Sequence, residues 1–368
     1  MKIVFLSHSV EGSIFKVGSH HLSREMAKMG HKVAHISTPL SLPQFLSYRP
    51  QNLNDRWKLL RTTPMIDAYG RLSSTFLLPI PLRLAPQQYL FNRHVKSIGF
   101  RDADLVFVDQ PLMNYGTSFP KAKVIYRPTD VHHEGVIHQR ERSLVRSSAA
   151  LVATSNCVLK SLEPYHPTKP TLVLENGVEF ARFNSVVRKH PRTRKRTGAI
   201  YVGAVDYRFD WEAIKVIAAL LYPEQVRIVG PGNNLPASSA SNISIEGAVP
   251  YYQIPAELAA ARIGLLPFTE VATNEGRSPM KFYEYLAAEL FILGKKTIEL
   301  GARSAAGVYL YDRIFDIEDC IASIDNERHT NTSGAQVAVT YDWSARAQRL
   351  LQFCEAELGV SDAISSTF

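Results

Sequence analysis

"KIVFLSHSVEGSIFKVGSHHLSREMAKMGHKVAHIST" (Lys2–Thr38) is the stretch that decides the fold class. It opens on a short β-rich run, KIVFLSHS, and passes through a polar loop. A segment with Leu22, Met26 and Met29 at helical spacing follows. Gly30 is a natural helix stop, and KVAHIST is the next strand. The stretch is therefore a β-loop-α-β unit. Such units recur along the chain. DADLVFVDQ, KVIYRPTD, AALVATS and PTLVLENGV read as strands, and NCVLKSLEPY as a helix. Further on, GAIYVGAV, QVRIVGPGNN, ISIEGAV, RIGLLPF and FILGKK read as strands. DWEAIKVIAALL and YYQIPAELAAA read as helices between them. Alternating strands and helices imply parallel sheets covered on both faces.

At 368 residues the chain is long for one domain, and about 150 residues per domain predicts two. The boundary is expected between Val178 and Gly198, where RKHPRTRKRTG is basic, polar and Pro-containing. The expected α/β fold is two doubly wound, Rossmann-like domains facing a central cleft. Residues 1–180 would form the acceptor domain and 181–340 the donor domain. Residues 341–368 would be a helical segment returning to the first. The three cysteines, Cys157, Cys320 and Cys354, are far apart and odd in number, which favours a reducing compartment over a disulfide framework. The apolar run at the start is too short for a signal peptide. No stretch approaches the roughly 20 apolar residues that span a bilayer.

Charge is uneven. Residues 1–178 hold 22 Lys+Arg against 12 Asp+Glu, while residues 179–368 hold 20 against 22. A basic half points to an anionic partner, such as a lipid headgroup or a phosphorylated substrate, or else to a solvated basic surface. Residues 40–100 are Pro-rich and mix Arg and Lys with Leu, Phe, Tyr and Trp. That mixture suits an anionic membrane surface, and it equally suits amphipathic helices packed on a sheet. The basic residues form no nucleic-acid-binding module.

In open α/β sheets, ligands sit beyond the carboxyl ends of the strands. The loops of interest are therefore Gly203-Ala204-Val205, Gly230-Pro231-Gly232, Gly247-Ala248 and Arg277–Lys281. None has the dinucleotide or P-loop pattern. In "NEGRSPMKFYEYLAAE" (Asn274–Glu289), Ser278 is expected to cap a helix with Pro279 in its first position. That end would suit a phosphate or diphosphate, with Met280 and Lys281 in the first turn and Arg277 just before it. Glu284, one turn on, could reach sugar hydroxyls, or could form a plain i,i+3 pair with Lys281. In the first half, YRPTDVHHEG sets Arg127, Asp130 and His133 after a strand. Asp130 is there either a general base or a helix cap. His20 and His21 open the first helix, as cleft residues or as structure. No metal-ligand spacing stands out.

These residues resemble glycosyltransferases of the GT-B architecture. SPMKFYEYLAA is similar to their donor-nucleotide helix, ENGVEFARF to the segment near their domain crossover, and YDWSARAQRLL to their Trp-marked C-terminal helix. Retaining members carry Glu-x7-Glu, which would need a glutamate where Gly276 stands; Glu275 is one residue off. The likeness is closer to the xanthan-pathway glucuronosyltransferases, which are inverting, metal-independent and membrane-associated. YRPTD matches their base segment and SPMK their UDP segment. The resemblance implies Asp130 as the base and Met280 and Lys281 as donor contacts. It departs at Val205, where a methionine is expected, and at Ala248 and Phe268. The implied function is transfer of a sugar, glucuronic acid among the candidates, from a UDP-sugar co-substrate. The acceptor would be a polyprenyl-diphosphate-linked saccharide at the cytoplasmic face of the plasma membrane, with no cofactor or metal. The alternatives are a retaining enzyme with a soluble acceptor, a nucleotide-sugar epimerase or hydrolase, and a non-catalytic nucleotide-binding module.

Overall fold

The computed structural model describes every residue except 12, 14, 38–39, 42–63, 76, 79–86, 112–114, 116, 132–134, 166–167, 190–195, 233–239, 304, 328–329 and 361–368. His133, most of the basic and aromatic stretch between 40 and 86, and the centre of the basic run before Gly198 lie outside the described residues. The chain divides into two compact units. One is Met1–Leu174 together with the chain from Arg346 onward; the other is Glu175–Ala345.

In chain order the first unit contains β1 (Lys2–Ser7), β2 (Lys32–Ser37), β3 (Leu40–Ser41), β4 (Met65–Ile66), β5 (Leu72–Ser74), β6 (Leu77–Leu78), β7 (Leu105–Val108), β8 (Lys123–Tyr126), β9 (Ala150–Ala153) and β10 (Thr171–Val173). Eight of these form one sheet, ordered β10-β9-β8-β7-β1-β2-β5-β4, while β3 and β6 pair separately. All pairs in the large sheet are parallel except β4 with β5. β1 and β7 are buried along almost their whole length, as parallel strands covered on both faces must be. Helix Gly18–Lys28 runs from β1 to β2, as the opening stretch predicts, with Leu22 and Met26 buried beneath it.

The second unit has β11 (Ala199–Val202), β12 (Val226–Val229), β13 (Ile243–Glu246), β14 (Ile263–Leu266), β15 (Phe291–Lys295) and β16 (Val308–Tyr311). They form one parallel sheet in the order β13-β12-β11-β14-β15-β16. Alternation along β11 sends its side chains to opposite faces. Ile200 and Val202 join a core with Phe183, Phe282, Tyr285 and Leu286, under helices Phe180–Lys189 and Met280–Ala287. Ala199 and Tyr201 join the other core, under helices Trp211–Leu221 and Ile317–Asp325. Helix Trp211–Leu221 starts where Asp210 accepts the Ala213 N–H at 3.0 Å, and it buries Ala213, Ile214, Ile217 and Ala218. Each such buried aliphatic side chain stabilises the fold by about 2 kcal/mol.

Strand order reverses at β1/β7 in the first sheet and at β11/β14 in the second. At such a switch point the loops leave in opposite directions and open a crevice, where doubly wound sheets bind ligands.

Candidate functional site

The second switch point gathers most of the predicted donor residues. The loop after β11 is stitched to the loop after β12. The Gly203 N–H donates to the Val229 carbonyl and the Val205 N–H to the Pro231 carbonyl, both at 2.8 Å, and Val205 bridges Gly232. A Cβ on Gly230 would lie 1.9 Å from the Gly203 carbonyl oxygen, and Gly230 has φ +154°. Gly230 is thus a glycine because two loops touch there. Gly247 is exposed, with open space around it.

The loop after β14 is held by buried Asn274, whose Nδ2 donates to the carbonyls of Thr269 (2.9 Å) and Arg208 (3.2 Å). Arg277 rests over the Phe268 ring, 5.6 Å from its centroid. The helix begins at Met280, with extended Pro279 as its N-cap and no side-chain cap. This corrects the expectation for Ser278. Its hydroxyl accepts the Asn176 N–H at 3.2 Å and lies 3.2 Å from the Tyr283 hydroxyl, while its carbonyl accepts from Asn176 Nδ2 at 2.7 Å. A partner from the crossover segment takes the oxygen that a cap would use. The N–H groups of Met280 and Lys281 consequently have no hydrogen bond among the described residues. They leave the positive end of the helix open.

Lys281 extends across Gly203, where an added Cβ would lie 2.2 Å from its Cε and 2.4 Å from its Nζ. Its ammonium is 5.1 Å from the centre of the Tyr201 ring. It forms no ion pair or hydrogen bond among the described residues. Burial pushes the lysine down to about pH 8, helped by Arg277 and Arg208 and opposed by Glu284 and Asp206. One turn on, Glu284 is buried, and its carboxylate has no hydrogen-bond partner among the described residues. Burial raises its pKa to about 7; Lys281 pulls the other way, and Glu179 adds to the rise. Tyr285 locks the arrangement, its hydroxyl accepting the Val202 N–H at 3.0 Å. A helix N-terminus, a lysine with no ion pair among the described residues and a buried carboxylate at the next turn form a receptor for an anion carrying hydroxyls.

In the first unit, Asp130 is half-buried and accepts from the Thr129 hydroxyl at 2.8 Å. The following helix, Gly135–Ser147, starts too far on for Asp130 to be its cap. Arg127 is buried against Asp109, Nη1 to Oδ1 3.5 Å. It therefore sits beneath the carboxyl ends of β7 and β8 rather than on the surface. His20 and His21 are also interior.

Around His20 the fold assembles a cluster that the sequence spacing hides. Nitrogen and oxygen atoms of Glu11, His20 and His35 lie within 4.8 Å of one another. The donor set does not fit a metal ion. His20 Nδ1 accepts the Val17 N–H at 3.1 Å, and Nε2 donates its proton to the Val10 carbonyl at 3.3 Å, so the ring's one lone pair is already taken. The two imidazoles are stacked 4.3 Å apart, which keeps their in-plane lone pairs in nearly parallel planes. Arg71 holds Glu11 at 2.9 Å, with Lys16 and Arg24 nearby. The cluster anchors the loop after β1. The surface concavity lined by Gln139, Arg142, Ser143, Arg146 and Ser147 is one face of one helix and has no convergent buried group.

No protein-family model matches the chain. Over 238 residues it is 22% identical to TuaH of Bacillus subtilis (strain 168), a protein named for glycosyltransferase action in teichuronic acid biosynthesis. That stretch is 59% of each protein, so the chain spans about three fifths of this curated relative. Among solved structures it is similar to sucrose-phosphate synthase from Thermosynechococcus elongatus, with TM-score 0.70 and 13% identity. The match covers 98% of this chain and 100% of that one. It is likewise similar to Anabaena HepE in complex with UDP-glucose, with TM-score 0.68, 13% identity, and 97% and 100% covered. The α/β fold with its two Rossmann-like units is the GT-B fold, shared with these structures.

Proposed function

We propose that the chain is a glycosyltransferase whose second unit binds a UDP-sugar. The observation that carries this reading is the Lys281 ammonium laid across Gly203 at the switch point, with Glu284 buried one turn below it. Lys281 and the open N–H groups of Met280 and Lys281 hold the diphosphate, and Glu284 accepts hydrogen bonds from ribose hydroxyls. As the bond from the anomeric carbon to the diphosphate breaks, negative charge grows on the leaving oxygen. Lys281 and the helix end stabilise that charge without a metal. Arg277 and the Gly203–Val205 and Gly230–Gly232 loops line the same site.

The proposed mechanism is inverting. Asp130 removes the proton of the acceptor hydroxyl, whose oxygen then attacks the anomeric carbon from the side opposite the leaving diphosphate. The resemblance of YRPTD to the base segment of inverting relatives supports this role. The other glutamate that retention calls for is absent at Gly276. Its neighbour Glu275 accepts the Ile298 N–H at 2.8 Å, at the first turn of helix Ile298–Gly301. The proposed acceptor is a polyprenyl-diphosphate-linked saccharide on the cytoplasmic face of the plasma membrane, and glucuronic acid is the first donor sugar to test. The excess of Lys and Arg in residues 1–178 supports an anionic acceptor and membrane surface.

The test is transfer by wild type and Asp130→Asn, with the product's anomeric configuration read by NMR. Loss of turnover by about 10²–10⁴ with unchanged UDP-sugar affinity is expected. Near-normal transfer by the variant would remove Asp130 from its role, and a product that keeps the donor's configuration would establish retention.

A further inference from the structure

Lys281 and Tyr201 come from opposite faces of the same sheet. Lys281 belongs to helix Met280–Ala287, whose neighbours Phe282, Tyr283 and Tyr285 pack on one face, while Tyr201 belongs to the core on the other. The lysine reaches the ring only by crossing the carboxyl end of β11, and it crosses at Gly203. The ring itself is fixed. It is 4% exposed, meets Phe209 edge-on at 4.7 Å, and donates its hydroxyl to the Ala204 carbonyl at 2.7 Å. That last bond ties the ring to the loop that the lysine crosses.

We propose that Tyr201 is a positioning residue for the anion site, its ring face holding the Lys281 ammonium over Gly203, aimed at the ligand and charged. This rests on the reading of Lys281 as the diphosphate contact. The electron-rich face of an aromatic ring attracts an ammonium and favours its protonated form. Here that matters because burial and the nearby Arg277 and Arg208 work against the charge, while Glu284 and Asp206 support it. Without the ring, the lysine keeps the burial that disfavours its charge but loses the attraction of the ring face, and so loses its proton at a lower pH. The ring thus prepares the site before ligand arrives, so less ordering remains to be done on binding.

The experiment compares wild type, Tyr201→Phe, Tyr201→Leu and Lys281→Ala. The Lys281 side-chain titration is followed by NMR in the ligand-free proteins, UDP-glucose affinity by calorimetry from pH 6 to 9.5, and folding by circular dichroism. Tyr201→Phe keeps the ring and should keep the titration of Lys281. Tyr201→Leu should move that titration to lower pH and weaken UDP-glucose binding about 3- to 30-fold. A merely structural role would lower the melting temperature without moving the Lys281 titration. A folded Tyr201→Leu protein whose Lys281 titrates as in wild type overturns the proposal. If Tyr201→Leu does not fold, a Tyr201→Phe protein that shifts the titration as far as loss of the ring should also overturns it. If Lys281→Ala binds UDP-glucose as well as wild type, the diphosphate reading itself fails, whatever Tyr201 does.

Discussion

Donor affinity should have a narrow optimum in pH, because the two charged groups of the site have been brought close together in pKa. Lys281 is pushed down to about 8 and Glu284 up to about 7. A bound diphosphate favours the ammonium and raises the lysine pKa in the complex. Affinity is then full below about pH 8 and falls as the free protein loses that proton. Ribose hydroxyls donate to the carboxylate form of Glu284 and lower its pKa in the complex. Affinity is full above about pH 7 and falls as the free carboxylate gains a proton. Each unit of pH outside the window removes about 1.4 kcal/mol, or tenfold, until the pKa of the complex is passed. Binding at pH 6 and at pH 9 should each be about tenfold weaker than at pH 7.5. The assay is calorimetry with a UDP-sugar, whose doubly esterified diphosphate does not itself titrate in this range. Glu284→Gln should lose the acid limb. Lys281→Arg should lose the alkaline limb, since a guanidinium keeps its charge throughout. A flat affinity from pH 6 to 9 would refute the reasoning, and so would an acid limb that survives Glu284→Gln.

Two further outcomes concern the fold. Gly230→Ala places a methyl group on the Gly203 carbonyl at a positive φ. It should cost about 3 kcal/mol in urea unfolding and weaken UDP-sugar binding by moving the Gly203 loop. Glu11 is held down to about 2: burial raises its pKa, but the hydrogen bond and charge of Arg71, with Lys16 and His20, outweigh that. The stability it contributes is complete above its unfolded pKa of about 4.5 and is lost as pH falls through 2, a span worth about 3 kcal/mol. Glu11→Gln should flatten the urea midpoint between those pH values and lower it at neutrality, where Arg71, Lys16 and Arg24 each lose a carboxylate neighbour. An acid transition unchanged in the variant would show that the cluster does not anchor its loop.

The local sequence determined the sequence of elements. Apolar runs of four to six residues, helical spacing of Leu22 and Met26, and stops such as Gly30 express physics that acts over a few residues. From these the two parallel sheets follow, and so does the helix carrying Lys281 and Glu284. The anion-binding character of that helix start was legible because Arg277, Lys281 and Glu284 are neighbours in sequence. The tertiary structure alone decided which strands flank each switch point. Strand order depends on packing between segments far apart in the chain. It decided against Ser278 as a cap, because Asn176, distant in sequence, supplies the competing donors. It drew Glu11, His20, His35 and Arg71 together from a loop, a helix, a strand and a second loop into one network. It also put the Tyr201 ring under a lysine from the opposite face of the sheet, through the gap left by Gly203. Side-chain periodicity tells which face a residue takes. It does not tell which distant residue crosses a strand end to meet it, since that contact exists only once both cores have packed.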